Sequence, residues 1–201
     1  MKIIIATNNS DKLAELRSLL EPTGCELMSM AEAGFTKEIA EEGVSYRENA
    51  YLKAKAVFDF CRCPVLADDT GLSVDLLDGA PGLYTARFAG VKTSYADKIE
   101  TLWSLLKPYP KQQWTASFHC ALCFIYNDEA YYFSGQVEGV ILDQKRGTNG
   151  FGYDPVFYIP DIGLTTAEML PEDKNKISHR GIAIAKFRNF LQDFEEEMDN
   201  K

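Results

Sequence analysis

The chain has no long hydrophobic run, only two histidines, an odd number of cysteines and fewer basic than acidic side chains. Each shortage excludes something. The apolar stretch after Met1-Lys2 is Ile3-Ile4-Ile5-Ala6, too short for a signal peptide or a bilayer span. The expectation is a soluble, cytoplasmic protein with no membrane partner. Lys and Arg number 21 against 30 Asp and Glu, a formal charge of −9 and a pI near 4.8. Such a surface repels a polyanion, so nonspecific nucleic-acid binding is excluded as a role. Five cysteines (Cys25, Cys61, Cys63, Cys120, Cys123) cannot all pair, and no secretory signal precedes them. Cys120 and Cys123 have the spacing of a zinc half-site, but an extended strand turns them to opposite faces, and Cys61-Arg62-Cys63 lacks a second ligand pair. They read as buried or incidental thiols. Neither His119 nor His179 stands in a Ser-His-Asp or Cys-His arrangement, which removes the usual nucleophilic hydrolases.

What remains is an ordinary globular composition, 46% hydrophobic and 25% charged, in 201 residues. That length suits one large domain, or one with a lobe, and a core that needs no disulfide. Lys2–Ala6 is a short β-branched strand. Leu13, Leu16, Leu19 and Leu20 recur at helical spacing up to Glu21-Pro22. Cys25–Met28 reads as a second strand. Ser45-x-x-Glu48 is a capping box opening a helix to about Phe60, with Ala50, Ala54, Val57, Phe58 and Cys61 as its apolar stripe. Pro64–Ala67 is a strand delivering Asp68-Asp69-Thr70-Gly71, a composition that predicts a sharp turn, and Leu72–Leu77 is another strand. A helix follows over Ser94–Leu106. Trp114–Tyr126 and Ala130–Leu142 form a long hairpin turning at Asn127-Asp128-Glu129. Gly147–Gly152 is a loop, Val156–Ile159 a strand, and Thr165-x-x-Glu168 a cap for a short helix. The last helix presents Ala183, Phe187, Phe190, Leu191 and Phe194. Helices alternating with strands predict an α/β fold on a mixed sheet, in two lobes.

Five constellations carry chemistry. Thr7-Asn8-Asn9-Ser10-Asp11-Lys12 joins a strand to a helix N-terminus, whose free N–H groups and dipole suit a phosphate chain, although the same residues make an ordinary capping turn. It is not a Walker loop, since the glycines are missing. Asp68 and Asp69 leave a hydrophobic strand, where two carboxylates are costly unless solvated, paired or bound to metal. Mg²⁺ suits such a pair, and so does an Asp-rich turn. Glu41 and Glu42 precede the Ser45 helix, on which Asn49 and Lys53 lie one turn apart and can point to one ligand, although the same residues also make an exposed acidic loop and a solvated lysine. Asn149–Pro155 sets Phe151 and Tyr153 among glycines, with Phe151 as a stacking surface for a flat ligand and Asp154 as an acceptor, or as a loop that fixes two strands. Lys174, His179 and Arg180 concentrate positive charge in an acidic protein, for base carbonyls or phosphates or as a helix surface. His119 lies with Thr115 and Ser117 on the polar face of its strand and reads as a structural or solvated group.

Taken together, six blocks in order resemble the inosine/xanthosine triphosphate pyrophosphatases. They are Ala6–Lys12, Glu48–Ala54, Ala67–Leu72, Gly79–Arg87, Gly150–Pro155 and Ile177–Gly181. The resemblance implies an elongated α/β domain over residues 1–201, with two lobes and a central cleft, acting as a homodimer. It implies Mg²⁺-dependent cleavage of dITP, ITP or XTP to the monophosphate and pyrophosphate. Thr7, Asn8, Asn9, Ser10, Asp11 and Lys12 match triphosphate-binding positions. Asp69 matches the catalytic acceptor and metal ligand, and Lys53 a catalytic lysine near the phosphates. Thr70, Phe151, Gly152, Tyr153, Asp154, Lys174, His179 and Arg180 match substrate-binding positions. Ala40-Glu41-Glu42-Gly43 shifts the family's glutamate pattern by one residue, and Glu41 is taken as the second metal ligand.

Overall fold

A computed structural model describes residues 1–199, with side chains through 194. Seven strands form one mixed sheet in the order β2-β1-β3-β4-β5-β6-β7. They are β1 (Lys2–Ile5), β2 (Glu26–Ser29), β3 (Val65–Val74), β4 (Thr115–Tyr126), β5 (Glu129–Ile141), β6 (Phe157–Ile159) and β7 (Leu164–Thr165). Among the described residues five α-helices accompany them: α1 (Ser10–Leu20), α2 (Tyr46–Cys61), α3 (Tyr95–Leu106), α4 (Pro171–Ile177) and α5 (His179–Asp199). β1 pairs in parallel with β2 and with β3, as β-α-β units require, while β6 runs antiparallel to β5 and β7. Among the described residues, no helix is long and apolar enough to cross a membrane.

Two compact units are defined, one of residues 1–69, 120–135 and 180 onward, the other of 70–119 and 136–179. In the first, successive residues of β1 alternate between two cores. Ile3 and Ile5 join Leu16 and Leu20 of α1 and Ala183, Ile184, Phe187 and Leu191 of α5. Ile4 joins Ala50, Ala54, Val57 and Phe58 of α2. The second unit has its own core, in which Leu72, Val74, Trp114, Ala116 and Phe118 meet Ile99, Leu102 and Leu106 of α3.

Local chemistry sets the boundaries. Ser45 Oγ accepts from Glu48 N at 3.2 Å and starts α2, and Ser94 caps α3 in the same way. Asn127 and Asp128 both have positive φ (48° and 64°), the backbone of a type I′ two-residue turn between β4 and β5.

The structure differs from expectation at three places. The strand does not stop at Ala67. β3 continues through Asp68, Asp69 and Gly71 to Val74, and a short 3₁₀ turn takes Asp75–Leu77. The carboxylates are tolerated inside a strand because cations from three helices meet them, as described below. Thr165-x-x-Glu168 starts no helix. Glu168 folds back to accept from Thr165 N at 2.8 Å, a reciprocal turn, and α4 begins only at Pro171. Tyr153 is not an exposed ring: it is 1% exposed and packs edge-on against Tyr95 at 5.5 Å.

Candidate active site

Asp68 and Asp69 are adjacent and both buried, so the alternation of β3 sends them to opposite faces. Each face supplies its own cations. Asp68, on the side of Leu66, faces α1 and α5. Its Oδ2 lies 3.0 Å from Lys12 Nζ and 3.3 Å from Arg180 Nη2. Arg180 Nη1 also donates to Glu15 Oε2, so the guanidinium ties α1 to β3. Burial works to raise the Asp68 pKa, but Lys12, Arg180 and Lys53 outweigh it and hold the carboxyl well below the usual range. Asp68 Oδ1 is buried and has no hydrogen-bond partner among the described residues.

Asp69, on the side of Val65 and Ala67, faces α2. Asn49 and Lys53, one helical turn apart, both reach it: Nδ2 of Asn49 donates to Oδ2 at 3.2 Å and Lys53 Nζ to Oδ1 at 3.1 Å. The same ammonium donates to Glu41 Oε1 at 2.7 Å. Asn49 Oδ1 accepts from Gly43 N at 2.8 Å, which fixes the loop carrying Glu41. A Cβ on Gly43 would lie 2.7 Å from that same oxygen, so the approach needs glycine. Burial is the largest influence on Asp69 and, with Glu41 beside it, raises its pKa against Lys53 and Lys12. Lys53 also shifts upward: burial disfavours its charge, but Asp69, Asp68 and Glu41 together overcome that cost. Glu42 is exposed.

The turn before α1 serves mainly as its cap. Asn9 Oδ1 accepts from Asp11 N at 2.9 Å and from Lys12 N at 3.0 Å, and Thr7 Oγ1 accepts from Asn9 N at 3.2 Å. Two of the N–H groups expected to be free for an anion are therefore taken by the chain itself. Asn8, Ser10 and Asp11 are exposed and Thr7 is half-buried.

The second unit holds a separate cluster around Asp154. Oδ2 accepts from Lys174 Nζ at 2.6 Å and from Phe151 N at 2.9 Å, and Oδ1 accepts from Thr166 Oγ1 at 2.8 Å. Lys174 Nζ also stands 5.3 Å from the centroid of the half-buried Phe151 ring. A Cβ on Gly150 (φ +71°) would fall 2.0 Å from Asp154 Oδ2, so this tight turn needs glycine. A Cβ on Gly152 (φ +71°) would lie 3.5 Å from the Tyr95 ring. Thr70 lies half-buried in β3. The buried His179 ring stacks on Phe118, 4.8 Å between centroids and 12° between planes.

The cationic group read as one cluster is thus divided. Lys174 is spent on Asp154 and His179 stacks on Phe118 in the second unit, while Arg180 belongs to Asp68 and Glu15 in the first. His119 is half-buried, with Nε2 2.8 Å from Ser117 Oγ. Two residues escaped the sequence reading. Glu15 had a signal, since it lies three residues after Lys12 on a helix and shares its face. Thr166 had none, because its role depends on a partner twelve positions away.

The first unit carries a strand-to-helix turn and two buried carboxylates with matched lysines, and the second carries a glycine-flanked ring beside a buried ion pair. Comparison with known proteins gives that combination a class: the Ham1 family matches residues 3–190, and the chain belongs to it. More particularly, it is 46% identical over 190 residues to the dITP/XTP pyrophosphatase of Bacillus subtilis, covering 94% of this chain and 96% of that one. The dITP/XTP pyrophosphatase of Listeria monocytogenes is 43% identical over 201 residues, covering 100% of this chain and 99% of its own. Among solved structures, a HAM1 protein from Coxiella burnetii superposes with a TM-score of 0.88 at 36% identity, covering 96% of this chain and 99% of that one. The Ham1 protein of Staphylococcus aureus gives 0.85 at 37%, covering 96% and 98%.

Proposed function

We propose that this chain is a pyrophosphatase for non-standard purine nucleoside triphosphates. It cleaves dITP, ITP and XTP between the α- and β-phosphates, yielding the monophosphate and pyrophosphate and clearing these nucleotides from the pool. The reading is carried by one observation: two adjacent buried carboxylates, each matched to a lysine, in a chain whose full-length relatives are named for this activity. The whole chain acts as a single catalytic domain, as a homodimer in the cytoplasm, on the strength of the family resemblance.

The donor set fits Mg²⁺. Asp69 Oδ1 and Glu41 Oε1 converge on one ammonium, 3.1 and 2.7 Å away, so two hard anionic oxygens already share one cation. Among the described residues, no group of three or more His, Cys, Asp or Glu could hold a metal ion alone. That suits a cation which takes one or two carboxylates and completes its shell with water and substrate phosphates. Asp69 and Glu41 would hold it, and when bound it neutralises triphosphate charge and polarises the phosphorus.

The chain's own residues do the rest. Asp69 orients the attacking water toward the α-phosphorus and accepts its proton, help worth typically ~10²–10⁴-fold. Asn49 and Lys53 keep its two oxygens aimed. Lys12 and Lys53 offset the charge growing on the pyrophosphate leaving group. Thr7, Asn8, Ser10 and Asp11 flank the triphosphate, with Asn9 holding the turn in shape, and Arg180 keeps Asp68 ionised beside Lys12. Phe151 stacks on the base, backed by Gly152 and Tyr153. Lys174, His179 and Thr70 complete the nucleoside side with Asp154. Hypoxanthine and xanthine carry a 6-oxo group and a protonated N1, whereas adenine carries an amine and a bare N1. Fixed donors near O6 are left unpaired by ATP, a mismatch that rejects it by ~10⁴-fold or more.

Pyrophosphate release from ITP, XTP, GTP and ATP, with and without Mg²⁺, tests the reading. Release from ITP and XTP in Mg²⁺ is expected. Equal rates on all four, or release that ignores the metal, would overturn it.

A further inference from the structure

Lys98 of α3 is 3% exposed, and among the described residues it forms no ion pair. Burial alone acts on its ammonium and pushes the pKa down. A buried cation without a carboxylate is costly, so its place in the second unit needs a reason beyond packing.

Two contacts hold the charge. Nζ donates to Ala86 O in the last turn of the short 3₁₀ segment Gly82–Arg87, where carbonyls lack helical partners. It also stands 4.7 Å from the centroid of the half-buried Tyr95 ring, three residues back on the same helix. A cation over an aromatic face is attracted to it, and more strongly when water is excluded.

Tyr95 is in turn a wall of the glycine turn. Its ring meets Tyr153 edge-on, with 5.5 Å between centroids and 84° between planes. A Cβ on Gly152 would touch the same ring at 3.5 Å. Tyr153 is buried, and its hydroxyl has no hydrogen-bond partner among the described residues, so ring packing holds it and no polar anchor does. Gly150 and Gly152 both have φ of 71° and flank Phe151. Backbone of that kind is permissive, so the direction of the Phe151 ring has to be imposed by its neighbours. Asp154 fixes the turn at the Phe151 N–H, and Tyr95 fixes it at Gly152 and Tyr153.

We propose that Lys98 is a positioning residue for the nucleobase: its ammonium holds Tyr95, Tyr95 holds Gly152 and Tyr153, and Phe151 is thereby aimed. Lys98 acts through Tyr95 and is not a catalytic residue. The inference rests on the function proposed above, in which Phe151 stacks on the base.

The test compares Lys98→Met, Lys98→Gln, Tyr95→Leu and the double variant Lys98→Met with Tyr95→Leu. Gln keeps a donor for Ala86 O without the charge, and it carries the test if Met does not fold. Pyrophosphate release gives kcat and KM for ITP. Residue-resolved amide exchange gives the protection of Phe151 and Asp154, whose N–H groups are bonded within the turn. The expected result is a KM raised about fivefold or more, with kcat within about twofold of wild type. Exchange should quicken at both amides and stay unchanged in β4, and the double variant should show no KM rise beyond Tyr95→Leu alone. A merely structural Lys98 would lower Tm and leave the KM of the folded enzyme as in wild type. Wild-type KM in both Met and Gln, or single effects that simply add in the double variant, overturns the proposal. If the wild-type chain releases no pyrophosphate from ITP, the proposed function falls. Exchange at Phe151 and Asp154 then decides the role of Lys98 by itself, and unchanged protection in the variants overturns it.

Discussion

Lys174 Nζ lies 2.6 Å from Asp154 Oδ2, and neither residue is more than 5% exposed. Removing one partner of a buried pair strands the other charge, at a cost of about 3–5 kcal/mol, whereas removing both charges costs less. Lys174→Met should therefore lower the urea midpoint strongly, and Lys174→Met with Asp154→Asn should recover part of the loss. Equal destabilisation by the single and double variants would show that the pair is not coupled.

Asp69 is the residue on which turnover should depend most. Asp69→Asn keeps the shape, its one amide oxygen can still accept from Lys53 Nζ or Asn49 Nδ2, and Lys53 retains Glu41. The expected outcome is a fall of ~10²-fold or more in kcat on ITP with a nearly unchanged Tm. Steady-state pyrophosphate release and a thermal melt check it together, and near-normal turnover would remove Asp69 from the catalytic role.

The five thiols should divide by burial. Cys120 and Cys123 are buried, and burial pushes each thiol up to about 12, so almost no thiolate forms at neutral pH. Cys25, Cys61 and Cys63 are half-buried. Alkylation of the native protein, read by mass spectrometry, should label these three and spare Cys120 and Cys123 until urea is added. Early labelling of Cys120 would contradict its packing.

His119 predicts a pH limit on stability. Burial pushes its imidazole pKa down, Glu138 only partly opposes it, and the folded value stays below the ordinary 6.5. The fold therefore holds the ring neutral, while the unfolded chain takes up a proton first as pH falls. The contribution is complete above pH 6.5 and is lost as pH drops below that value toward the folded pKa. His119→Gln should flatten the dependence of unfolding free energy on pH below 6.5. The same slope in both proteins would exclude His119 as its source.

Periodic and punctuated segments were legible in the sequence. The Ser45 cap, the helix placed over Ser94–Leu106 and the hairpin at Asn127-Asp128 follow from local chemistry that needs no distant partner. Asp68–Gly71 was not legible, because its composition favours a turn and only Lys12, Arg180 and Lys53, far along the chain, make a strand affordable there. The same limit explains Tyr153, whose ring is claimed by Tyr95, and the division of Lys174 from Arg180. Asn49 and Lys53 were legible as a pair because helical spacing puts them on one face, and Glu41 met Lys53 despite its shifted motif.

The discontinuity of the first unit has a consequence for biosynthesis. Its opening 69 residues leave the ribosome early, but Ala183, Ile184, Phe187 and Leu191, which seal the core against β1 and α1, come from the segment that begins at 180. Until that last helix emerges, Asp68 also waits in a growing polypeptide without Arg180. Nascent chains stalled before residue 180 would carry an apolar sheet surface open to chaperones, and Asp68 would gain Arg180 only once that segment emerges, whereas Asp69 already has Asn49 and Lys53.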